Sequence, residues 1–176
     1  MNVLLFDDLF IEICLYLRIN SIVKLELISK YHMLLIRKTS WIHGSPFITN
    51  MTIFDHIVKH YKFKNLFLNC DLNVNSHIDY LMNCHTLDLS YTSINNDNIK
   101  RLGYCYTLNL SATNITDNCV KFLKNCHILH LDWNKITDKG IEDFKGHILS
   151  VRGTKISVHM INILRQKGCI VYDIYN

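Results

Sequence analysis

Seven cysteines and ten histidines are the side chains of this 176-residue chain with the most chemistry to offer. Thiolates and imidazoles hold metal ions, and a cysteine activated by a histidine is a nucleophile. A metal site needs ligands that converge on one point, and no Cys-x-x-Cys pair occurs in the chain. Three cysteines instead recur at an even spacing, Cys84, Cys105 and Cys126. A residue that returns once per structural unit forms a column, so these three are expected as inward-facing small hydrophobes, with the adjacent His85 and His127 turned away from them. Cys14, Cys119 and Cys169 read as packing residues, and Cys70 as the irregular end of a strand. The odd count points to free thiols in a reducing compartment. No metal and no cofactor is expected. A Gly-rich phosphate loop, a nucleophile motif and an acid pair at fixed spacing are also missing, so the chain is not expected to be an enzyme.

The elements that position the cysteines follow from the rest of the pattern. From Cys84 the order is Cys84-x-x-Leu87-x-Leu89-x-x-Thr92-x-Ile94, and it returns at Cys105, Leu108, Leu110, Thr113, Ile115 and at Cys126, Leu129, Leu131, Asn134, Ile136. A fourth copy is Gly146, Leu149, Val151, Thr154, Ile156; a degenerate leading copy sits at Phe63, Leu66, Leu68, and a truncated closing one at Cys169, Tyr172, Ile174. Leu87 and Leu89 alternate with Thr86, Asp88 and Ser90, so each unit opens with a strand buried on one side. Such a strand cannot hide its apolar face alone, and parallel stacking on the next unit supplies the cover. Five and eight residues past each isoleucine come Ile99 and Leu102, Val120 and Leu123, Ile141 and Phe144, Ile161 and Leu164. That spacing of three predicts a short helix with one buried face. The polar pairs before it, Asn95-Asn96, Thr116-Asp117 and Thr137-Asp138, are expected to accept the free amides of its first turn.

This pattern resembles the leucine-rich-repeat family, Leu-x-x-Leu-x-Leu-x-x-Asn/Cys/Thr-x-Leu, and within it the cysteine-containing subtype whose convex segment begins Ile-Thr-Asp. Ile115-Thr116-Asp117 and Ile136-Thr137-Asp138 match that segment. The resemblance covers residues 63–176 and implies an α/β fold, a short right-handed solenoid with a parallel β-sheet on its concave face.

The first forty residues follow a different order. Asp7 and Asp8 can open a helix carrying Leu9, Phe10, Ile13 and Leu17; Asn20 or Ser21 can cap a second with Ile22, Leu25 and Ile28; Ser29 can begin a third. The sequence Leu5-Phe6-Asp7-Asp8-Leu9-x-x-Glu12-Ile13-x-x-Tyr16-Leu17, then Leu25-x-Leu27-Ile28-Ser29-Lys30, then Trp41, is similar to an F-box. Phe6 stands where that family has proline. The resemblance implies a three-helix bundle over residues 1–43, docked on the Skp-like adaptor of a cullin-based SCF ubiquitin ligase through Leu5, Phe6, Leu9, Ile13, Leu17, Ile22, Leu25 and Ile28. Residues 44–62 read as an ordered connector: Ser45-Pro46 marks a turn, and Phe54, Ile57, Val58 and Tyr61 have helical spacing.

Together the two resemblances imply a substrate-recognition subunit that does no chemistry of its own and holds a target protein on its repeats. The alternation points Asp88, Tyr91, Asn109, His130, Asp132, Trp133 and Arg152 toward that target, Trp133 and Arg152 foremost, because aromatic and arginine side chains dominate interface energies. Trp133 could also lie across the neighbouring repeat as packing. The alternative function is a plain repeat scaffold whose N-terminal helices are only a cap. Nucleic-acid binding is disfavoured, since the net charge is only +4 and the Lys and Arg residues are dispersed. Residues Met1 to Leu17 start without positive charge and carry Asp7, Asp8 and Glu12, unlike a secretion signal, and no stretch reaches the roughly 18 apolar residues of a membrane span. A cytoplasmic protein with no membrane partner is expected.

Overall fold

A computed structural model describes residues 40–41, 47–48, 54–55, 58–59, 62–68 and 74–173. The eight F-box-like positions from Leu5 to Ile28 lie outside the described residues. Two-residue strands β1 (Ser40–Trp41), β2 (Phe47–Ile48) and β3 (Lys62–Phe63) precede β4 (Asn65–Leu68). A 3-10 turn at Val74–His77 then leads into α1 (Ile78–Leu81). Strand and short helix now alternate: β5 (Thr86–Asp88), α2 (Asn96–Ile99), β6 (Thr107–Asn109), α3 (Asp117–Val120), β7 (Ile128–His130) and α4 (Asp138–Ile141). The series ends with β8 (Ile148–Ser150), the nine-residue α5 (Val158–Gln166) and β9 (Ile170–Tyr172).

Seven strands form one parallel sheet in the order β2-β4-β5-β6-β7-β8-β9. Each strand therefore lies beside its sequence neighbour, apart from β3, which pairs with β1 in a separate two-stranded sheet. The register joins Leu66, Leu87, Leu108, Leu129, Leu149 and Val171 in one row. All six are buried, in one core with the second leucine row, the isoleucines and the helix positions read from the spacing, Ile99 with Leu102 and Val120 with Leu123 among them. This is an α/β array of parallel strands and short helices, compatible with repeats of the leucine-rich type. Helices of four residues do not persist alone in water, so tertiary packing of these buried side chains holds them.

The connector contributes more than helical spacing suggests. Its Phe47–Ile48 is the first strand of the sheet, paired with Phe67 and Leu68 of β4. Phe54 is fully buried and its ring lies 5.0 Å from that of His77. His77 Nε2 is 2.7 Å from an Asp55 carboxylate oxygen, which Lys59 also reaches at 2.6 Å. The Lys59 ammonium and the His77 ring both donate to that carboxylate and hold Asp55 below the usual carboxylate range.

Polar side chains tie unit to unit in two rows. In the first, the hydroxyls of Thr92, Thr113 and Thr154 donate to Leu89 O, Leu110 O and Val151 O, closing each turn after the strand. Asn134 takes that place in the third copy and reaches further. Its Nδ2 donates to Leu110 O at 2.7 Å and Leu131 O at 3.1 Å, while its Oδ1 accepts the amides of Thr113 and Ile115.

The second row corrects the capping expectation. Side-chain caps occur at Asn95, which accepts from Asn98 N, and at Ser157, which accepts from Met160 N; Thr116 and Thr137 make none. Instead, Asn75, Asn96, Asp117 and Asp138 each accept the amide of the residue before the following helix, Asn95, Thr116, Thr137 and Ser157. The hydroxyls of Thr137 and Ser157 add bonds of 2.6 Å to Asp117 and Asp138. A polar residue here joins neighbouring units more often than it closes its own helix, because parallel stacking brings the next unit's amide within hydrogen-bond reach.

Candidate binding face

One sheet face turns inward and the other carries the side chains expected to meet a target. The outward columns run Thr86, Thr107, Ile128, Ile148, Ile170 and, two residues on, Asp88, Asn109, His130, Ser150, Tyr172. In the first half of the array these residues are polar, and Asp88 and Asn109 are bound to one another. Asp88 Oδ2 accepts Asn109 Nδ2 at 3.0 Å and Asp88 Oδ1 accepts Ser90 N, while Asn109 Oδ1 accepts both the amide and the hydroxyl of Ser111. Asp132 is similarly engaged, by the Ser150 hydroxyl at 2.7 Å and by Arg152 N at 2.7 Å. These three of the predicted target-binding residues thus have structural work within the array. His130 is half-buried in β7, and Arg152 is exposed with its guanidinium 6.0 Å from the Tyr172 ring centre.

The other two, Tyr91 and Trp133, share a backbone feature. Tyr91, Ala112, Trp133 and Gly153 occupy the same place in successive units, and all have positive φ, from 55° to 66°. At three of them the amide donates to the next unit's carbonyl, Tyr91 to Ser111, Ala112 to Asp132 and Trp133 to Arg152, which holds the left-handed turn against its usual cost of about 1–2 kcal/mol per residue. The row alternates large and small. Trp133 lies over Gly153, where an added Cβ would sit 2.4 Å from ring carbon Cε3, so the ring packs on its neighbour and yet stays 66% exposed. Tyr91 and Ala112 border a shallow concavity of about 370 Å³ with Ser93, Asn95, Asn96 and Asn114.

Gly153 therefore supplies both the left-handed turn and the floor under the tryptophan. Gly153→Ala will cost about 1–3 kcal/mol in urea unfolding and shift Trp133 fluorescence, because the new methyl must displace the ring. Ala112, already a non-glycine residue at φ 55°, shows that the turn alone tolerates a Cβ. An unchanged midpoint and spectrum would place Trp133 elsewhere.

A further feature escaped the sequence reading. His85, Tyr106, His127 and His147 each precede a strand of the array, and their rings stack in a ladder with centre distances of 4.8, 4.5 and 5.2 Å and tilts of 16–24°. Their common offset was visible once the copies are aligned. The ladder borders the outward columns on the side opposite Arg152.

The cysteine column behaves as an apolar row. Cys84, Cys105 and Cys126 are buried, and burial pushes each thiol up to about 12; Cys119 rises to about 11. Cys84, Cys105, Cys119, Cys126 and Cys169 are free thiols. A thiol so hard to ionise is a poor nucleophile and a poor metal ligand. Among the described residues no three His, Cys, Asp or Glu side chains are placed to share a metal ion, and no helix is long and apolar enough to cross a membrane.

Comparison with protein-family models and with curated proteins found no match to this chain.

Proposed function

We propose that this chain is a substrate-recognition subunit of an SCF-type ubiquitin ligase, built from an F-box and leucine-rich repeats of the cysteine-containing subtype. Residues 1–43 dock on a Skp-like adaptor and its cullin, and the outward sheet face holds a target protein. The observation that carries the binding half is the regular parallel array, whose outward columns differ from unit to unit while its inward rows repeat. The adaptor half rests on the F-box-like order Leu5 to Lys30 with Trp41. The protein acts by proximity: it forms and breaks no bonds, and raises the effective concentration of a target lysine near a charged ubiquitin-conjugating enzyme. Its place of work is the cytoplasm.

Leu9 and Ile13 share one face of the first predicted helix. Changing both to Asp will abolish recovery of the adaptor in a pull-down while circular dichroism of the repeats stays unchanged. Undiminished recovery would leave only the plain scaffold.

A further inference from the structure

The left-handed row beside the sheet sets two exposed aromatic side chains on either side of a small one. Tyr91 is 63% exposed and Trp133 66%, and Ala112 between them offers only a methyl group. The Trp133 ring leans away from Ala112, over Gly153 of the next unit, which opens the step between the two aromatics. The backbone under all three is fixed in advance, because each amide donates to the next unit's carbonyl. Exposed Tyr and Trp with a held backbone are what protein contacts favour: large, amphipathic area at little cost in entropy.

The chemistry and the pitch of this step select what can lie on it. No charged side chain lines the concavity beside Tyr91 and Ala112. Asn96 is engaged by Thr116, and Asn95 Oδ1 accepts Asn98 N. Among the described residues the Ser93 hydroxyl, Asn95 Nδ2 and the Asn114 amide have no partner, and neither has Trp133 Nε1. The site therefore offers donors and aromatic faces to an uncharged ligand rich in acceptors. Tyr91 follows β5 and Trp133 follows β7, with β6 between, so two strand spacings put them about 9–10 Å apart. A polyproline II helix turns once in three residues, about 9.3 Å. An extended strand repeats at about 6.6–6.8 Å and an α-helix at about 5.4 Å, and neither sets consecutive turns on both aromatics. Polyproline II also has no internal hydrogen bonds, and proline brings a carbonyl without an N–H, so such a segment needs donors alone.

We infer that the row of Tyr91, Ala112 and Trp133 docks a proline-rich segment of the target, held as a polyproline II helix. Prolines of one turn rest on Tyr91 and those of the next on Trp133, the chain crosses above Ala112, and the Ser93, Asn95 and Asn114 donors take its carbonyls. Both surfaces are formed before they meet, so little ordering entropy opposes binding. This inference rests on the target-binding half of the proposed function and is independent of the adaptor half.

The test is titration calorimetry of the full chain with decaproline blocked at both ends, beside a Gly-Ser peptide of equal length and a neutral oligosaccharide, maltoheptaose. Decaproline will bind saturably and the other two will not. Ala112→Tyr closes the step with a residue that already adopts this turn at position 91, and it will weaken decaproline at least about tenfold with thermal unfolding unchanged. Tyr91→Ala will do the same by removing one aromatic. Should Ala112→Tyr fail to fold, the exposed Tyr91→Ala carries the test. No binding of decaproline, equal binding of the Gly-Ser peptide, binding of the oligosaccharide in its place, or affinity indifferent to Tyr91→Ala would overturn the inference. Adaptor recovery from the same preparation separates the two ideas: decaproline binding without adaptor sinks the ligase reading alone, and adaptor without decaproline binding sinks this one alone.

Discussion

Asn134→Leu will lower the unfolding free energy by about 3–5 kcal/mol, a large share of what a domain of this size has. The side chain is buried and binds two consecutive units at once, donating to Leu110 O and Leu131 O and accepting the amides of Thr113 and Ile115. Leucine matches its bulk but leaves those two amides without an acceptor among residues that are 3% and 1% exposed. Each stranded buried group costs about 1–3 kcal/mol. Asn134→Thr separates the two roles. Threonine at the same place in the first copy closes only its own unit, as Thr92 does on Leu89 O at 2.7 Å, so this change will strand the same two amides and cost nearly as much, the difference being the bond to Leu131 O that a hydroxyl keeps. Urea unfolding of both variants decides it; equal and small losses would mean that this row contributes nothing between units.

The second large effect is a loss of stability in alkali. Burial pushes the thiols of Cys84, Cys105 and Cys126 up to about 12, whereas in the unfolded chain they return to about 8.5. The native pKa is the higher one, so the unfolded chain sheds these protons first and gains stability from doing so as pH rises. The contribution is fully present below about pH 8.5 and is lost progressively as pH rises toward 12. Each thiol gives a slope of about 1.4 kcal/mol per pH unit, so the column gives about 4. Unfolding midpoints in urea between pH 8 and 11 will fall steeply in the native chain. They will fall much less in the variant with all three cysteines changed to Ala, whatever its lower stability at neutral pH. Parallel curves for the two would show that the column does not drive the alkaline transition.

What the sequence made legible is what repeats. The leucine rows, the isoleucines and the helix positions recur at one offset, and identical units stacked in parallel must place identical offsets in one column. The register of Leu66, Leu87, Leu108, Leu129 and Leu149 follows from that alone. The fourth copy has glycine at the cysteine place for a reason of space. A Cβ on Gly146 would lie 2.2 Å from Cys126 O and 2.3 Å from Phe144 Cζ, so the bulkier Phe144 leaves room only for hydrogen.

What the sequence concealed depends on contacts between units. Nothing in Asp117 or Asp138 announces that it binds the following unit's amide rather than its own helix, since that amide is about twenty residues away in sequence and comes within reach only when the units stack. Phe47–Ile48 is too short to read as a strand, and it pairs because β4 offers it an open edge. The predicted binding residues were placed on the outward face, but alternation could not tell which of them are engaged. Asp88, Asn109 and Asp132 hold neighbours, while Ile128 and Ile148, which the same alternation puts on the outward face, stand there half-buried.

The most direct measurement is affinity purification of the full chain from its native cell with the proteasome blocked, followed by mass spectrometry. The account predicts a Skp-like adaptor and a cullin in stoichiometric amounts, together with a protein whose level rises under the block and which is lost with Ala112→Tyr. Recovery of partners without any adaptor or cullin would contradict it.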